Sequence, residues 1–487
     1  MTGILHAQML AAGISTNVVA VTLGVVVAYA LSSVIQLLRR QRQLPPGPWG
    51  WPVVGHLFSL GSRPDLTFQK LSERFGRVFS LKIGTRLVVV ISDPDVVREA
   101  FLRQGAVTSG RIQHQWGLLA FGEQDEWRIV SNEGPTWKLI RKIIGPALRD
   151  IGPSGSKLES IMLEEVDHLL EVLDAHADRM EGFDPSDHVM MAASNVMCSL
   201  LHGSRFDYND EMFCHILKAA KVIVGCPGNR FLMNIFPFMY YTEPWRPLRE
   251  SGAFLRKQML NFVERAKEHG ASGEEVSSLT RNILNELQST SEGDVADASI
   301  VEEKGMWRML LDLILAGSDT TACTIRWSLV IMAFYPDVQR KVHDELDLKI
   351  GAKKTLTQHD RTKTPYVVAT LLEVIRLRPL GPLGIPHLTS RETRLGDYLI
   401  PKGTTLYANF MAMNHSEAFW DEPESCRPER FLDKGTGCVL KAHPAFMPFG
   451  RYRIEFPPGN KPDELDDGVF EDIILHPRQC KLVIRRR

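Results

Sequence analysis

The first 38 residues contain no aspartate, glutamate, lysine or arginine, which excludes a solvated charged surface for that stretch. Basic excess is missing from the chain as a whole. Its 57 lysines and arginines stand against 58 acidic residues in 487, so the electrostatic footprint that nucleic-acid binding requires is absent. Metal-type spacing is missing too: Cys198, Cys214, Cys226, Cys323, Cys426, Cys438 and Cys480 form no CxxC pair. An odd, dispersed set of this kind reads as reduced thiols rather than a disulfide framework. No Gly/Ser-rich linker, low-complexity tract or internal repeat occurs, so one large domain is expected where length alone would allow about three. The remaining composition, 44% hydrophobic and 24% charged, is that of an ordinary globular protein of enzyme size.

What is present begins with an apolar run. Val18 to Leu38 is mostly Val, Ala, Leu and Ile, and as a helix it would span roughly 30 Å, the thickness of a bilayer core. Arg39, Arg40 and Arg42 follow at once, which predicts a membrane anchor with the body on the cytoplasmic side. A cleaved signal peptide would be shorter and would carry its positive charges before the apolar run. The chain therefore divides into an anchor with its basic flank, 1–43, and a body, 44–487. Leu44-Pro45-Pro46-Gly47-Pro48 makes a stiff hinge between them. Val78 to Ile83 and Arg86 to Ile91 read as strands joined at Gly84-Thr85, and Asp93-Pro94 as a helix start. Amphipathic helical patterns fill Leu158 to Leu287, and a long helix is predicted from about Val301 to Tyr335. Short strands return at Tyr398 to Ile400 and Thr404 to Ala408. The fold class is mainly α with small β-sheets.

Several constellations carry chemical information. Inside the long helix, Ala316-Gly317-Ser318-Asp319-Thr320-Thr321 is a small, polar, acidic patch in an apolar segment. Gly317 costs about 1 kcal/mol against alanine in a helix, which predicts a close approach to the backbone there. Thr320 is placed to bond back to a carbonyl one turn earlier. Glu373 and Arg376 share a helix face that ends before Pro379, and Arg430 in Pro428-Glu429-Arg430-Phe431 offers the same carboxylate a second guanidinium. Trp137 and Arg141, four residues apart, present an indole N–H and a guanidinium suited to a carboxylate ligand.

These motifs follow one another in the order of a known family. The proline hinge, Trp137-x-x-x-Arg141, Ala316 to Thr321, Glu373-x-x-Arg376, Pro428 to Phe431 and Phe446-Met447-Pro448-Phe449-Gly450 together resemble a membrane-bound animal cytochrome P-450 over about Leu44 to Gly450. Pro45 to Leu60 and Ile385-Pro386-His387 are most similar to the clan of xenobiotic- and steroid-oxidising microsomal enzymes. The resemblance implies a cytochrome P-450 fold behind a single transmembrane helix, with haem b as cofactor. It implies an oxidoreductase of the endoplasmic reticulum membrane that inserts one atom of O2 into a lipophilic steroid, lipid or xenobiotic. Electrons would come from NADPH through cytochrome P-450 reductase, and the lipid bilayer would be a further partner. Asp319 and Thr320 would manage protons beside Ala316 and Gly317 at the haem. Glu373, Arg376 and Arg430 would form the structural triad, and Trp137, Arg141 and His387 would hold the propionates.

The family pattern stops after Gly450. The family's next elements are a glycine-arginine turn, the cysteine that ligates iron, and a long apolar helix. Here Phe456 stands at the expected ligand position, and phenylalanine has no lone pair to give iron. One reading is a diverged loop in which Phe456-Pro457 replaces Cys-Pro. The other, which Arg451 to Phe456 favours by resembling what normally follows that helix, is a block lost between Gly450 and Arg451, as a skipped exon would produce. Ile473 to Arg487 resembles the family's closing hairpin, with Cys480 in its strand. Cys438 and Cys480 lack the glycine-turn setting of a ligand. A catalytically inactive, membrane-anchored variant is the alternative function.

Overall fold

The computed structural model describes residues 24–25, 28, 43–112, 128–130, 132–151, 157–225, 237–272, 278–291, 305–351, 356–439, 453–455, 469–471, 474–478 and 480–485. Most of the predicted anchor, together with Phe446 to Gly450 and Phe456, lies outside these residues. Among those described, no helix is long and apolar enough to cross a membrane. The chain forms two compact units, one reaching to Ser109 and completed by Pro386–Ala408, the other made of Gly110–Ile385 and Asn409–Arg487. Neither is continuous in sequence, and their boundaries carry no linker composition.

The first unit starts with helix α1, Pro64–Phe75, followed by strands β1, Val78–Ile83, and β2, Arg86–Ile91. The strands pair antiparallel with Ile83 opposite Arg86. Gly84 has φ 60°, the positive value that the first central residue of a two-residue hairpin loop needs. Asp93 caps the short helix α2, Pro94–Arg98, by accepting from the N–H groups of Asp95 and Val96. Later come β3, His387–Leu388, β4, Thr393–Leu395, β5, Tyr398–Ile400, and β6, Thr405–Ala408. β6 lies parallel to β2 and antiparallel to β3, while β4 and β5 pair as a separate hairpin. Val88 to Ile91 are all buried, because a strand flanked on both edges and covered on both faces reads as an unbroken apolar run. Phe68 of α1 closes one side, 6.1 Å from both Phe79 and Tyr407.

The second unit is helical. Its helices are α3, Gly134–Ile151, α4, Lys157–Ala175, α5, Ser186–His202, α6, Glu211–Val224, α7, Arg246–Ser272, and α8, Leu279–Ser291. They continue with α9, Met306–Phe334, α10, Pro336–Lys349, α11, Pro365–Leu377, and the short α12, Phe410–Asn414. The predicted long helix is thus α9, with 301–304 outside the described residues. Its N-terminal half is buried in a core shared with α3, α5, α6, α7 and α8. Its C-terminal half packs through Cys323, Trp327, Val330 and Ile331 against Val374 and Leu377 of α11 and Leu475.

The chain end corrects one expectation. β9, Ile474–His476, pairs with β8, Val469–Glu471, and β10, Val483–Arg485, pairs with β7, Arg453–Glu455. The two last strands therefore do not form a hairpin with each other, and Cys480 lies between them rather than in a strand. Side chains of α9 explain this. The Leu475 carbonyl accepts from the Trp327 indole at 2.8 Å and the Cys323 thiol at 3.2 Å, and its N–H donates to Leu380 at 2.8 Å. That backbone is already committed to the helical core.

Candidate functional site

The polar centre of the second unit is built on α11. Pro365 opens the helix without loss, since its missing N–H would be unsatisfied there anyway. The Thr364 hydroxyl is occupied with the Asp360 carbonyl, so capping falls to Glu345 of α10, whose carboxylate accepts from the N–H groups of Tyr366 at 3.0 Å and Val367 at 2.9 Å. Two turns on, Glu373 is fully buried. Its carboxylate accepts a two-pronged pair from Arg376, 2.7 Å from Nε and 2.9 Å from Nη2, and also Arg430 Nε at 3.1 Å and the Arg427 N–H at 2.8 Å. Every remaining prong ends on a carbonyl. Arg376 donates to Asn414 and Ser425, and Arg430 to Asp421, Glu422 and Ser425. Both guanidiniums lie over the Trp420 ring, at 5.3 and 5.8 Å. Such a cluster moves no protons; it ties the 414–430 segment to α11 with charge-assisted bonds.

The α9 patch presents two directions. The Thr320 hydroxyl donates to the Ala316 carbonyl at 2.6 Å, Thr324 to Thr320 at 2.9 Å and Ser328 to Thr324 at 2.8 Å, a back-bonded stripe of the kind that bends helices. Asp319 is about 100° round the helix, nearly buried, with its Oδ2 3.4 Å from Nε2 of His476 in β9. Burial, followed by repulsion from Arg326 and Lys221, pushes the His476 pKa down to about 4, so the imidazole facing Asp319 is neutral at physiological pH. Gly317 faces α5 closely: an added Cβ would lie 2.5 Å from Met197 Sδ, and that side chain would have to shift. The close approach that the glycine predicts is therefore a side chain of a neighbouring helix.

The three residues expected to hold propionates are each engaged. The Trp137 indole N–H donates to the Ile129 carbonyl at 3.2 Å. The Ile129 N–H in turn donates to Asp312 of α9 at 2.9 Å, fixing 129–130 between α3 and α9. Arg141 is exposed, its guanidinium 5.5 Å from the Trp137 ring. His387, in the first unit, has Nδ1 2.7 Å from the Thr108 carbonyl and its ring 4.2 Å from Phe101.

The described thiols differ in setting. Burial, with the Glu373 charge behind it, pushes Cys426 up to about 12, and burial does the same to Cys198. Cys323 donates to Leu475 and Cys214 to the Tyr208 carbonyl. Cys438 is exposed on a turn where the Asp433 N–H reaches its carbonyl. Among the described residues, no three His, Cys, Asp or Glu side chains gather as a metal site. Glu345, Asp312, Trp420 and His476 escape sequence reasoning, since each acts across a long stretch of chain with no local pattern to mark it.

Comparison of the sequence with known proteins points to one lineage. The sequence model described as Cytochrome P450 matches residues 45–451. Cytochrome P450 1A1 of Mesocricetus auratus is 31% identical over 416 residues, covering 82% of this chain and 78% of the relative. Cytochrome P450 2U1 of Homo sapiens is 33% identical over 441 residues, 85% of this chain and 79% of the relative. The match ends where the sequence departs from the family's ligand loop, while the buried Glu373–Arg376–Arg430 cluster, the α9 patch and the helical core all fall within it. By that span and that identity, the chain belongs to the cytochrome P450 family.

Proposed function

We propose that this scaffold serves the insertion of one oxygen atom from O2 into a lipophilic small molecule, with electrons drawn from NADPH through a membrane-bound reductase. The chain would sit in the endoplasmic reticulum membrane by the 1–38 segment, body toward the cytoplasm. The observation that supports the reading best is the Glu373–Arg376–Arg430 cluster, a fully satisfied buried charge set whose only evident purpose is to hold the segment before the ligand loop. Haem b, when bound, supplies the oxygen chemistry of such enzymes. This chain fits that group in part only. Arg141 and His387 could serve carboxylates, and Thr320 and Asp319 could hold protons, but the ligand position carries Phe456, the Cys426 thiol is held protonated by burial, Cys323 is bonded to Leu475 and Cys438 is exposed.

The Phe456 position motivates a second reading for the chain as it stands: a membrane-anchored variant that makes no haem-thiolate bond. The test separates the two. Purified full-length chain is expected to show no reduced carbon-monoxide band of the thiolate type, and a chain with a family-type cysteine loop and helix inserted after Gly450 is expected to gain it. A thiolate band from the unmodified chain would overturn the loss of the ligand. A folded, restored chain that still lacks the band would overturn the monooxygenase reading itself.

A further inference from the structure

The junction between α9 and α10 opens a recess. Pro336 disfavours a helical conformation in the residue before it, and Tyr335 leaves α9 with ψ 79°, so α10 sets off from Pro336 as a separate helix. Between this corner and the segment 426–429 lies a cavity of about 530 Å³, within the size range of small-molecule sites. Phe334, Tyr335, Pro336 and Val338 give it an apolar, aromatic wall, with Phe334 and Tyr335 meeting edge to face at 5.1 Å. Tyr335 and Cys426 also pack against the core shared by α9 and α11, which fixes that side of the cavity.

The polar groups around the cavity select its occupant. Each ionic side chain of the rim has a counter-charge in place: Lys341 lies 2.6 Å from Glu429, Asp337 2.8 Å from Arg340 and Arg427 3.0 Å from Asp421. An ionic ligand would have to displace one of these pairs, an exchange that yields little at an exposed surface. The Tyr335 hydroxyl and the Cys426 thiol are in a different position. Among the described residues neither makes a hydrogen bond, and burial pushes both pKa values up, so both are protonated donors at neutral pH. Aromatic walls with two neutral donors match an uncharged ring system that carries an acceptor oxygen. The cavity also adjoins the buried charge cluster through its own backbone. The Arg427 N–H donates to Glu373 at 2.8 Å, and the Ser425 carbonyl accepts from Arg376 and Arg430, both at 3.2 Å.

We propose that this cavity binds an uncharged aromatic or alicyclic molecule whose ketone or ether oxygen accepts from Tyr335 and Cys426, and that its occupant braces the 425–429 backbone against the Glu373 cluster. The probe is benzophenone, a neutral diaryl ketone that forms photo-adducts where it is bound. Full-length chain in detergent micelles is irradiated with it, and adducts mapped by mass spectrometry should fall in 334–341 and 426–429. In the dark, benzophenone should slow maleimide labelling of Cys426 about ten-fold at ten times its half-saturating concentration, and leave the exposed Cys438 unaffected. Asp337→Trp places an indole at an exposed position in the mouth of the cavity and should lose these adducts with its thermal melt unchanged. Should that variant not fold, protection of Cys426 in the native chain decides alone. Adducts confined to the α9 patch at Ala316–Thr321, or equal in native and variant chains, overturn the site. Equal slowing of Cys426 and Cys438, or no slowing of either, overturns it as well.

Discussion

Glu373 carries a large single-residue consequence, because one buried carboxylate neutralises the buried Arg376 and the partly buried Arg430. Glu373→Gln keeps the shape and removes the charge. Breaking a buried pair in this way typically costs about 3–5 kcal/mol, to be read as a lower denaturant midpoint at unchanged slope. The same change takes away one of the charges that holds Cys426 protonated, so Cys426 should react faster with a thiol reagent in the variant. His476 makes a pH-dependent contribution. Its folded pKa, about 4, lies below the unfolded value near 6.5, so between these limits the unfolded chain binds a proton that the folded chain refuses. Stability is therefore full above about pH 6.5 and is lost on acidification toward pH 4, by on the order of 3 kcal/mol. The groups around it are Asp319, Arg326 and Lys221. His476→Gln should flatten that part of the stability–pH curve, measured as the difference between variant and native midpoints; parallel curves would show that another group titrates.

At the scale of the element, α11 depends on a neighbour for its start. Glu345 supplies both acceptors at the helix N-terminus, where a negative charge is also favoured by the helix dipole. Glu345→Ala should cost about 1–2 kcal/mol and, since α11 carries Glu373 and Arg376, should increase amide exchange along α11 before the rest of the unit. Exchange confined to α10 would show that the cap is dispensable. Elements of this kind mark the limit of what the sequence makes legible. The hairpin at Gly84, the Asp93 cap, α9 and α11 are readable because their signals are local: a turn residue, a capping side chain, a proline, an apolar period. Glu373, Arg376 and Arg430 are readable as a set because two share a helix face and the third sits in a recognisable motif. Glu345, Asp312 and Trp420 are not, because their partners lie on other elements and nothing in their immediate neighbours selects them. The closing strands fail for the same reason, since the choice of partner for Leu475 is made by Trp327 and Cys323 of α9.

For the whole molecule, the decisive experiment on attachment is removal of residues 1–38. The truncated chain should leave the carbonate-resistant membrane fraction, and native chain already released by carbonate would contradict an anchor. A different consequence follows from the parallel pairing of β2 with β6, which joins Val88–Ile91 to Thr405–Ala408. During synthesis, the first unit's central strand waits for a partner encoded roughly 300 residues later, about 15–60 s at ordinary elongation rates. In that interval its apolar edge is open, and any nascent chain released before Thr405 carries it permanently. Ribosome stalling, nonsense truncation and chaperone occupancy should thus bear on this protein chiefly through that one strand. Its vulnerability is set by the order of translation and would persist even in a variant whose finished fold is more stable.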